Sequence, residues 1–386
     1  MGTRAVHPHT PPPQGGEPVV PVLDQSSTYS FTDSEEFARA SAVKVGSGYV
    51  YARWANPTTD LFAAAVADLE GLPDGEAFSS GMAAISTAFL ALCSPGDRVV
   101  SARQLYGGTH ALTASVLPRF GIATDLCDVD DFDAIKSALP GAKFFYCESI
   151  GNPAIKVADL ARLGEITADA RVPMVVDNTF ASPILCRPAE YGAATVVHSA
   201  TKFIGGHHDL TGGVLCTDAA TMERVREWTR EVGPTLSPYS AWLALRGMST
   251  MHIRVERSSN SALAIARALE KHPEIEAVFY PALDSSPDKE VTNKILGGRG
   301  GGTLAFEVRG GKERAARFQD RLRLIKAAAS LGGTHSLIVH AASVTHTQLD
   351  EAALFAAGIS PGFCRLSVGL EDPKDLIDDL VQALEN

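Results

Sequence analysis

No apolar run in this sequence approaches the ~20 residues needed to cross a bilayer; the most apolar helical stretch, Ala83 to Cys93, stops well short. The N-terminus lacks a basic-then-apolar leader pattern, so the expectation is a protein of the cytoplasm. Basic charge is also scarce. With 34 Lys+Arg against 45 Asp+Glu and a formal net charge of −11, the chain offers neither nucleic acid nor an anionic membrane surface an electrostatic footprint. The six cysteines, Cys93, Cys127, Cys147, Cys186, Cys216 and Cys364, are scattered with no CxxC pair, which fits a reducing compartment and excludes a zinc ribbon. Nucleic acid, membrane and structural metal are therefore not expected partners.

At 386 residues the chain has length for two or three domains. Residues 1–58 read as an arm. Pro11, Pro12, Pro13, Pro18 and Pro21 deny its first part regular structure, and Tyr49, Tyr51, Arg53 and Trp54 suit a clasp on a neighbouring subunit better than a disordered tail. Asn56-Pro57-Thr58-Thr59 caps a helix whose apolar face is Leu61, Phe62, Ala65, Val66 and Leu69. Over residues 59–250, strands at Arg98–Ala102, Lys143–Glu148, Pro173–Asp177, Ala194–His198 and Gly213–Thr217 alternate with helices at Thr109–Arg119, Phe132–Leu139, Leu160–Ala170 and Met222–Glu231. Such alternation predicts an α/β domain with a mostly parallel sheet covered on both faces and ligands at the carboxyl ends of its strands. Residues 234–248, PTLSPYSAWLALRGM, read as the turn and start of one long helix running on through His252 to Glu270, expected to lead into a smaller C-terminal α+β domain, residues 251–386. Its strands are predicted at Ala277–Tyr280, Gly302–Val308 and Arg365–Val368, and its helices at Glu313–Leu322 and Pro373–Leu384.

The chemistry concentrates between Thr195 and Leu215. A β-branched run leads into Ser199, Thr201 and Lys202, and Gly205, Gly206, Gly212 and Gly213 follow. A lysine at the end of a buried strand, flanked by hydroxyls, suits an amine that forms a Schiff base in a confined site. Ser80-Gly81-Met82 precedes an amphipathic helix whose first N–H groups would hold an anion. Tyr106 lies on a loop after a strand, and Asp177-Asn178-Thr179 sets a carboxylate at another strand end. The histidines His207, His208, His335, His340 and His346 are read as loop or packing residues, and no metal is assigned.

The stretches YARWANPT, SSGMAAIS, LYGGTH, ESIGNP, VVDNTF, HSATKFIGGHHDLTGG, SLGGTHSLI and CRLSVGLED occur in this order over nearly the whole chain. Together they resemble the pyridoxal-phosphate enzymes of Cys and Met metabolism, the trans-sulfuration family. The resemblance implies a fold-type I, aminotransferase-like subunit that uses pyridoxal 5'-phosphate and works as a homo-oligomer, usually a tetramer of two catalytic dimers. It puts Lys202 on the cofactor-bearing, proton-shuttling lysine and Asp177 on the partner of the pyridine nitrogen. Tyr106 matches the tyrosine that stacks on the ring and acts near the leaving group. Gly81, Met82, Ser199 and Thr201 match the phosphate cradle, which Tyr51 and Arg53 of the adjacent subunit complete. Arg365 matches the residue that binds the substrate α-carboxylate, helped by Ser330 and Asn152.

Within the family, Leu331 stands where a β-lyase is expected to carry Trp, and Ala329 where cystathionine-handling enzymes tend to carry Glu. GGHHD replaces the GGHGT of homoserine sulfhydrylases. These features point to a γ-eliminating C–S lyase that forms a 2-oxo acid, ammonia and a thiol, with methionine placed ahead of cystathionine. Gly108 in place of the cysteine usual in methionine γ-lyases, HAAS and His335 depart from that pattern. The alternative is a γ-replacement enzyme, a cystathionine γ-synthase or an O-acetylhomoserine sulfhydrylase. A non-catalytic cofactor-binding scaffold is disfavoured by the presence of both Lys202 and Tyr106.

Overall fold

The computed structural model describes residues 1–7, 18–42, 48–340 and 360–385. The larger of its two sheets contains β1 (Asp74–Phe78), β2 (Arg98–Ala102), β3 (Ala123–Cys127), β4 (Phe145–Glu148), β5 (Met174–Asp177), β6 (Ala193–Ser199) and β7 (Gly213–Thr217). Their order is β1-β7-β6-β5-β4-β2-β3. From β6 to β3 all pairings are parallel, whereas β7 runs antiparallel to both β6 and β1. The fold is therefore the expected α/β class with a mostly parallel sheet. Alternate residues feed two cores: Met174, Val176, Val196 and Cys216 face one apolar cluster, and Val175, Val197 and Leu215 face another. A strand buried on both faces needs an unbroken apolar β-branched run, which is why β5 and β6 were legible.

Two strands were not. β1 reads DGEAF and packs in the sheet with two acidic residues, and β3 is an edge strand without a fully buried residue. Neither has the continuous apolar signal of a central strand.

The helix Pro57–Glu70 begins as read. The Asn56 side chain accepts from the N–H groups of Thr58 and Thr59, Pro57 fits the first turn, and Gly71 at φ 79° ends it. Phe62, Val66 and Leu69 are fully buried, each stabilising the fold by about 1.5–3 kcal/mol on burial.

Three expectations need correction. The segment predicted as one helix over Thr109–Arg119 is instead a short α-helix, Gly107–Ala111, a wider π turn over Leu112–Val116 and a tight 3-10 turn, Leu117–Phe120. Pro118 has no N–H to continue an α-helix, and its ring would meet the carbonyl four residues back. The single long helix is two, Pro238–Met248 and Met251–Leu269, because the Gly247 carbonyl is taken by the Arg254 guanidinium at 2.6 Å and by the Thr250 N–H at 3.2 Å. The arm, expected without regular structure at its start, opens with a helix, Gly2–Val6, whose Ala5 is buried in the main core. Most of the proline-rich tract lies outside the described residues.

The smaller sheet holds β8 (Ile275–Phe279), β9 (Thr303–Val308), β10 (Lys326–Ala327), β11 (Leu337–His340) and β12 (Phe363–Ser367), in the order β10-β11-β12-β9-β8. All its pairings are antiparallel except β10 with β11. The helix Met251–Leu269 serves both cores: Met251 and Val255 belong to the large cluster, and Ala262, Ile265, Ala266 and Leu269 to that of the smaller sheet.

Candidate active site

The parallel strands β4, β5 and β6 end side by side, and the polar residues sit at those ends. Glu148 closes β4 and is the register partner of Asp177, which closes β5. Ser199 closes β6, and the chain then turns sharply: the Lys202 N–H bonds the Ser199 carbonyl at 3.2 Å and the Gly205 N–H the Ala200 carbonyl at 2.8 Å. Thr201 is fastened to Gly212, its Oγ1 accepting the Gly212 N–H at 3.1 Å.

The Lys202 side chain ends on Ser330, donating from Nζ to Oγ at 2.9 Å. Burial first, and the Arg365 guanidinium second, bring its ammonium down to about 8. Such a lysine is an available base and nucleophile near neutral pH. Ser330 holds φ at 97°, a left-handed conformation that costs a non-glycine residue energy and gathers at functional sites. Beyond it, Gly332 comes so close to the chain after Lys202 that a Cβ there would lie 2.7 Å from the Phe203 nitrogen.

Asp177 is nine-tenths buried, and its Oδ1 accepts from the Thr179 N–H at 2.9 Å and the Thr179 hydroxyl at 2.5 Å. Thr179 in turn receives the Ser199 N–H at 2.8 Å, which ties the ends of β5 and β6. Burial pushes the Asp177 carboxyl above its ordinary range; the Thr179 bonds and the nearby His198 oppose this. A permanent cation beside it would favour the ionised form.

Gly81 starts the helix Gly81–Leu92, capped by the Ser80 side chain bonded to the Ala83 N–H at 3.0 Å. A Cβ at Gly81 would sit 2.6 Å from that of Ser199, so only glycine leaves this helix start open against the β6 terminus. The first N–H groups of this helix, its dipole and the Ser199 hydroxyl beside it could hold an anion. Met82 and the Tyr106 ring converge nearby on Gly108.

Arg365 on β12 is buried, with no carboxylate partner among the described residues. It donates through Nη1 to Asn152 Oδ1 at 2.8 Å and through Nη2 to the Ser330 carbonyl at 3.2 Å, and among the described residues its Nε has no partner. Desolvation brings it down to about 10. A buried guanidinium with an unpartnered N–H could take an anion.

These observations fit pyridoxal phosphate: an amine of lowered basicity, a buried carboxylate, a glycine-opened helix start and a buried guanidinium lie in one region. A family model described as Cys/Met metabolism PLP-dependent enzyme matches residues 2–385. The chain belongs to that family. Its enzymes are PLP-dependent, and this one is a PLP-dependent carbon–sulfur enzyme of fold type I. An L-methionine γ-lyase of Pseudomonas putida is 38% identical to it over 388 residues, 100% of this chain and 97% of that protein. An O-succinylhomoserine sulfhydrylase of Pseudomonas aeruginosa is also 38% identical, over 100% of this chain and 94% of its own length. A crystal structure of a putative O-acetylhomoserine (thiol)-lyase from Campylobacter jejuni, containing N'-pyridoxyl-lysine-5'-monophosphate, superposes with a TM-score of 0.95. It is 32% identical and covers 100% of this chain and 99% of that one.

Within one chain of this family member, Lys202, Ser330, Arg365 and Asn152 form a continuous set, as do Asp177, Ser199, Gly81, Met82 and Tyr106. Tyr51 and Arg53 do not join it. Tyr51 bridges Thr28 and is 45% exposed, and Arg53 bonds the Arg230 carbonyl with its guanidinium 5.8 Å from the Tyr51 ring centre. Among the histidines, His207 bonds the Gly205 carbonyl, His340 that of Pro361, and His335 the Thr334 hydroxyl; His346 lies outside the described residues.

Sequence reasoning missed three groups. Glu148, inside ESIGNP, accepts from Tyr106 and Asn152. A sealed trio lies behind Asp177, in which Glu70 Oε1 meets His198 Nε2 at 2.6 Å and Asn178 Nδ2 at 2.8 Å. Arg254 braces the turn after Lys202 by donating to the Phe203 carbonyl at 2.9 Å. Position at a strand end was the one available signal for Glu148; Glu70 and Arg254 sit on helices with nothing local to mark them.

Proposed function

We propose that the chain catalyses γ-elimination from a sulfur amino acid, L-methionine ahead of L-cystathionine, releasing a 2-oxo acid, ammonia and a thiol. The observation that carries this reading is the Lys202–Ser330–Arg365 set, in which a lysine of lowered basicity lies beside a buried guanidinium suited to an amino acid's carboxylate. Pyridoxal phosphate, held on Lys202, supplies an electron sink for the charge left when protons are taken from the substrate carbons. Gly81, Met82, Ser199 and Thr201 hold its phosphate, Asp177 faces its ring nitrogen and Tyr106 covers its ring. Tyr51 and Arg53 of an adjacent subunit complete the phosphate site in a homotetramer built as two dimers, for which their exposed faces leave room.

In this reading Arg365, with Asn152 and Ser330, fixes the α-carboxylate bidentately. Lys202 then carries a proton from the α-carbon, and moves protons at the β-carbon, as a base whose affinity is matched to neutral pH. Tyr106 stands near the γ-substituent and donates to the departing sulfur. Ala329, small and exposed, presents no charge to that substituent, which supports a methionine-like thioether over the ammonium-bearing arm of cystathionine. Leu331 is packed into the main core, not presented to a ligand. Six free cysteines, five of them buried, support a cytoplasmic setting.

A second reading, γ-replacement on an activated homoserine, is favoured by the sulfhydrylase of equal identity. The test is release of 2-oxo acid from L-methionine, L-cystathionine or O-acetyl-L-homoserine, each with and without added thiol. The expected result is 2-oxobutanoate from methionine without thiol. Turnover only with activated homoserine plus thiol, yielding a thioether, would replace elimination with replacement.

A further inference from the structure

Glu148 is 5% exposed and, among the described residues, has no cationic side chain bonded to it. Its two oxygens reach in different directions. Oε1 accepts the Tyr106 N–H at 2.5 Å, and Oε2 accepts the Asn152 N–H at 3.2 Å. Asn152 passes the link on, since its Oδ1 receives Arg365 Nη1 at 2.8 Å. One carboxyl group thus connects the loop bearing Tyr106 with the loop and β12 residue that would hold the substrate carboxylate. The anchor is rigid, because Glu148 closes β4 in register with Asp177.

Burial and then the neighbouring Asp177 push the Glu148 carboxyl well above the ordinary range, while the two N–H bonds favour the ionised form. A carboxyl group held under that opposition needs a compensating use. Backbone N–H groups of two loops could have been satisfied by neutral acceptors such as carbonyls, without burying an acid beside another acid.

We propose that Glu148 is a positioning residue that fixes the distance between Tyr106 and the Asn152–Arg365 pair, and so matches the site to the length of substrate between its carboxylate and its leaving group. This rests on the reading of Arg365 as the carboxylate's partner.

Glu148→Gln tests it, because an amide has one acceptor oxygen and must turn an N–H₂ toward one of the two N–H donors. Three measurements are made on Glu148→Gln, Asn152→Ala and the double variant. The first is the melting curve of the cofactor-free protein. The second is the rate at which phenylglyoxal modifies Arg365 in cofactor-free protein, followed by peptide mass spectrometry. The third is the split between KM and kcat for 2-oxo acid release from the substrate the wild-type enzyme turns over. Glu148→Gln is expected to modify Arg365 several-fold faster, to raise KM about tenfold or more, and to lower kcat. Asn152→Ala keeps its own N–H on Glu148 and is expected to raise KM with less effect on kcat. The double variant is expected to match Asn152→Ala in labelling rate, since both cut one linkage.

Labelling and KM unchanged in Glu148→Gln, or labelling effects that simply multiply in the double variant, would overturn the proposal. If Glu148→Gln gives no cooperative melt, Glu148→Asp carries the test, its shorter reach predicting the same faster labelling and its absence overturning the idea. Because labelling needs neither cofactor nor substrate, a wrong reaction assignment would leave that result standing.

Discussion

Lys202 has two local influences that set its chemistry, and they are separable. Burial disfavours its ammonium in any protein of this shape, whereas the Arg365 contribution vanishes if that guanidinium is removed. In cofactor-free protein the Lys202 amine is expected to titrate near 8 by competitive labelling against pH, and the midpoint to rise in Arg365→Met. A midpoint that stays put in Arg365→Met would show that the two groups do not sense each other. The linkage has a definite sign. The folded state holds the amine neutral between about 8 and the ordinary value of 10.5, where the unfolded chain still binds the proton. Stability from this group therefore rises with pH across that window, and below about 8 the folded protein carries the full cost of a buried ammonium. At the same scale the neighbours of Lys202 were only partly legible. Ser199, Thr201 and Lys202 are adjacent in sequence, but the bond from Nζ to Ser330 spans 128 positions and is set by how the smaller sheet docks.

Elements explain why the arm and the helix after it belong together. Asn56 caps the helix Pro57–Glu70 with its oxygen and uses its amide N–H₂ on the Asp24 carbonyl and the Tyr29 hydroxyl, both at 3.1 Å. Replacing it removes a cap and two tethers at once. Asn56→Ala is expected to lower stability by about 2–3 kcal/mol in chemical denaturation and to speed proteolysis within residues 18–31 of the folded protein. A loss of only a few tenths would mean that the cap acts alone and weakly. The cap was plain in the sequence because the pattern Asn-Pro-Thr-Thr is local. The break at Ser249–Thr250 was not, because it depends on Arg254 reaching back to the Gly247 carbonyl while also bonding the Phe203 carbonyl in the turn after Lys202, 51 positions away.

For the whole molecule, the position of Tyr51 and Arg53 outside the Lys202 cluster gives the oligomer reading a direct test. If each site borrows these residues from a neighbour, Lys202→Ala and Arg53→Ala proteins will be inactive or nearly so alone. When the two are unfolded together and refolded, hybrid dimers pair an intact Lys202 with a partner's intact Arg53. Activity should then return to roughly a quarter of wild type, since half the dimers are hybrids and one site in each is complete. No recovery, with both variants refolding into the wild-type assembly, would place the two residues outside any shared site.

The sequence alone determined the alternation of strands and helices, the strand-end positions of Asp177, Ser199 and Lys202, and the family through eight ordered motifs. Those features are encoded locally, by apolar β-branched runs, caps and glycines that permit close approach. Only the tertiary structure decided that Glu148 links Tyr106 to Asn152, that Glu70 meets His198 behind Asp177, and that Arg365 lies buried near Lys202 with no carboxylate partner among the described residues. Each of these is a contact between distant segments, and burial, which turns an ordinary acid or base into an active one, is a property of the packed chain.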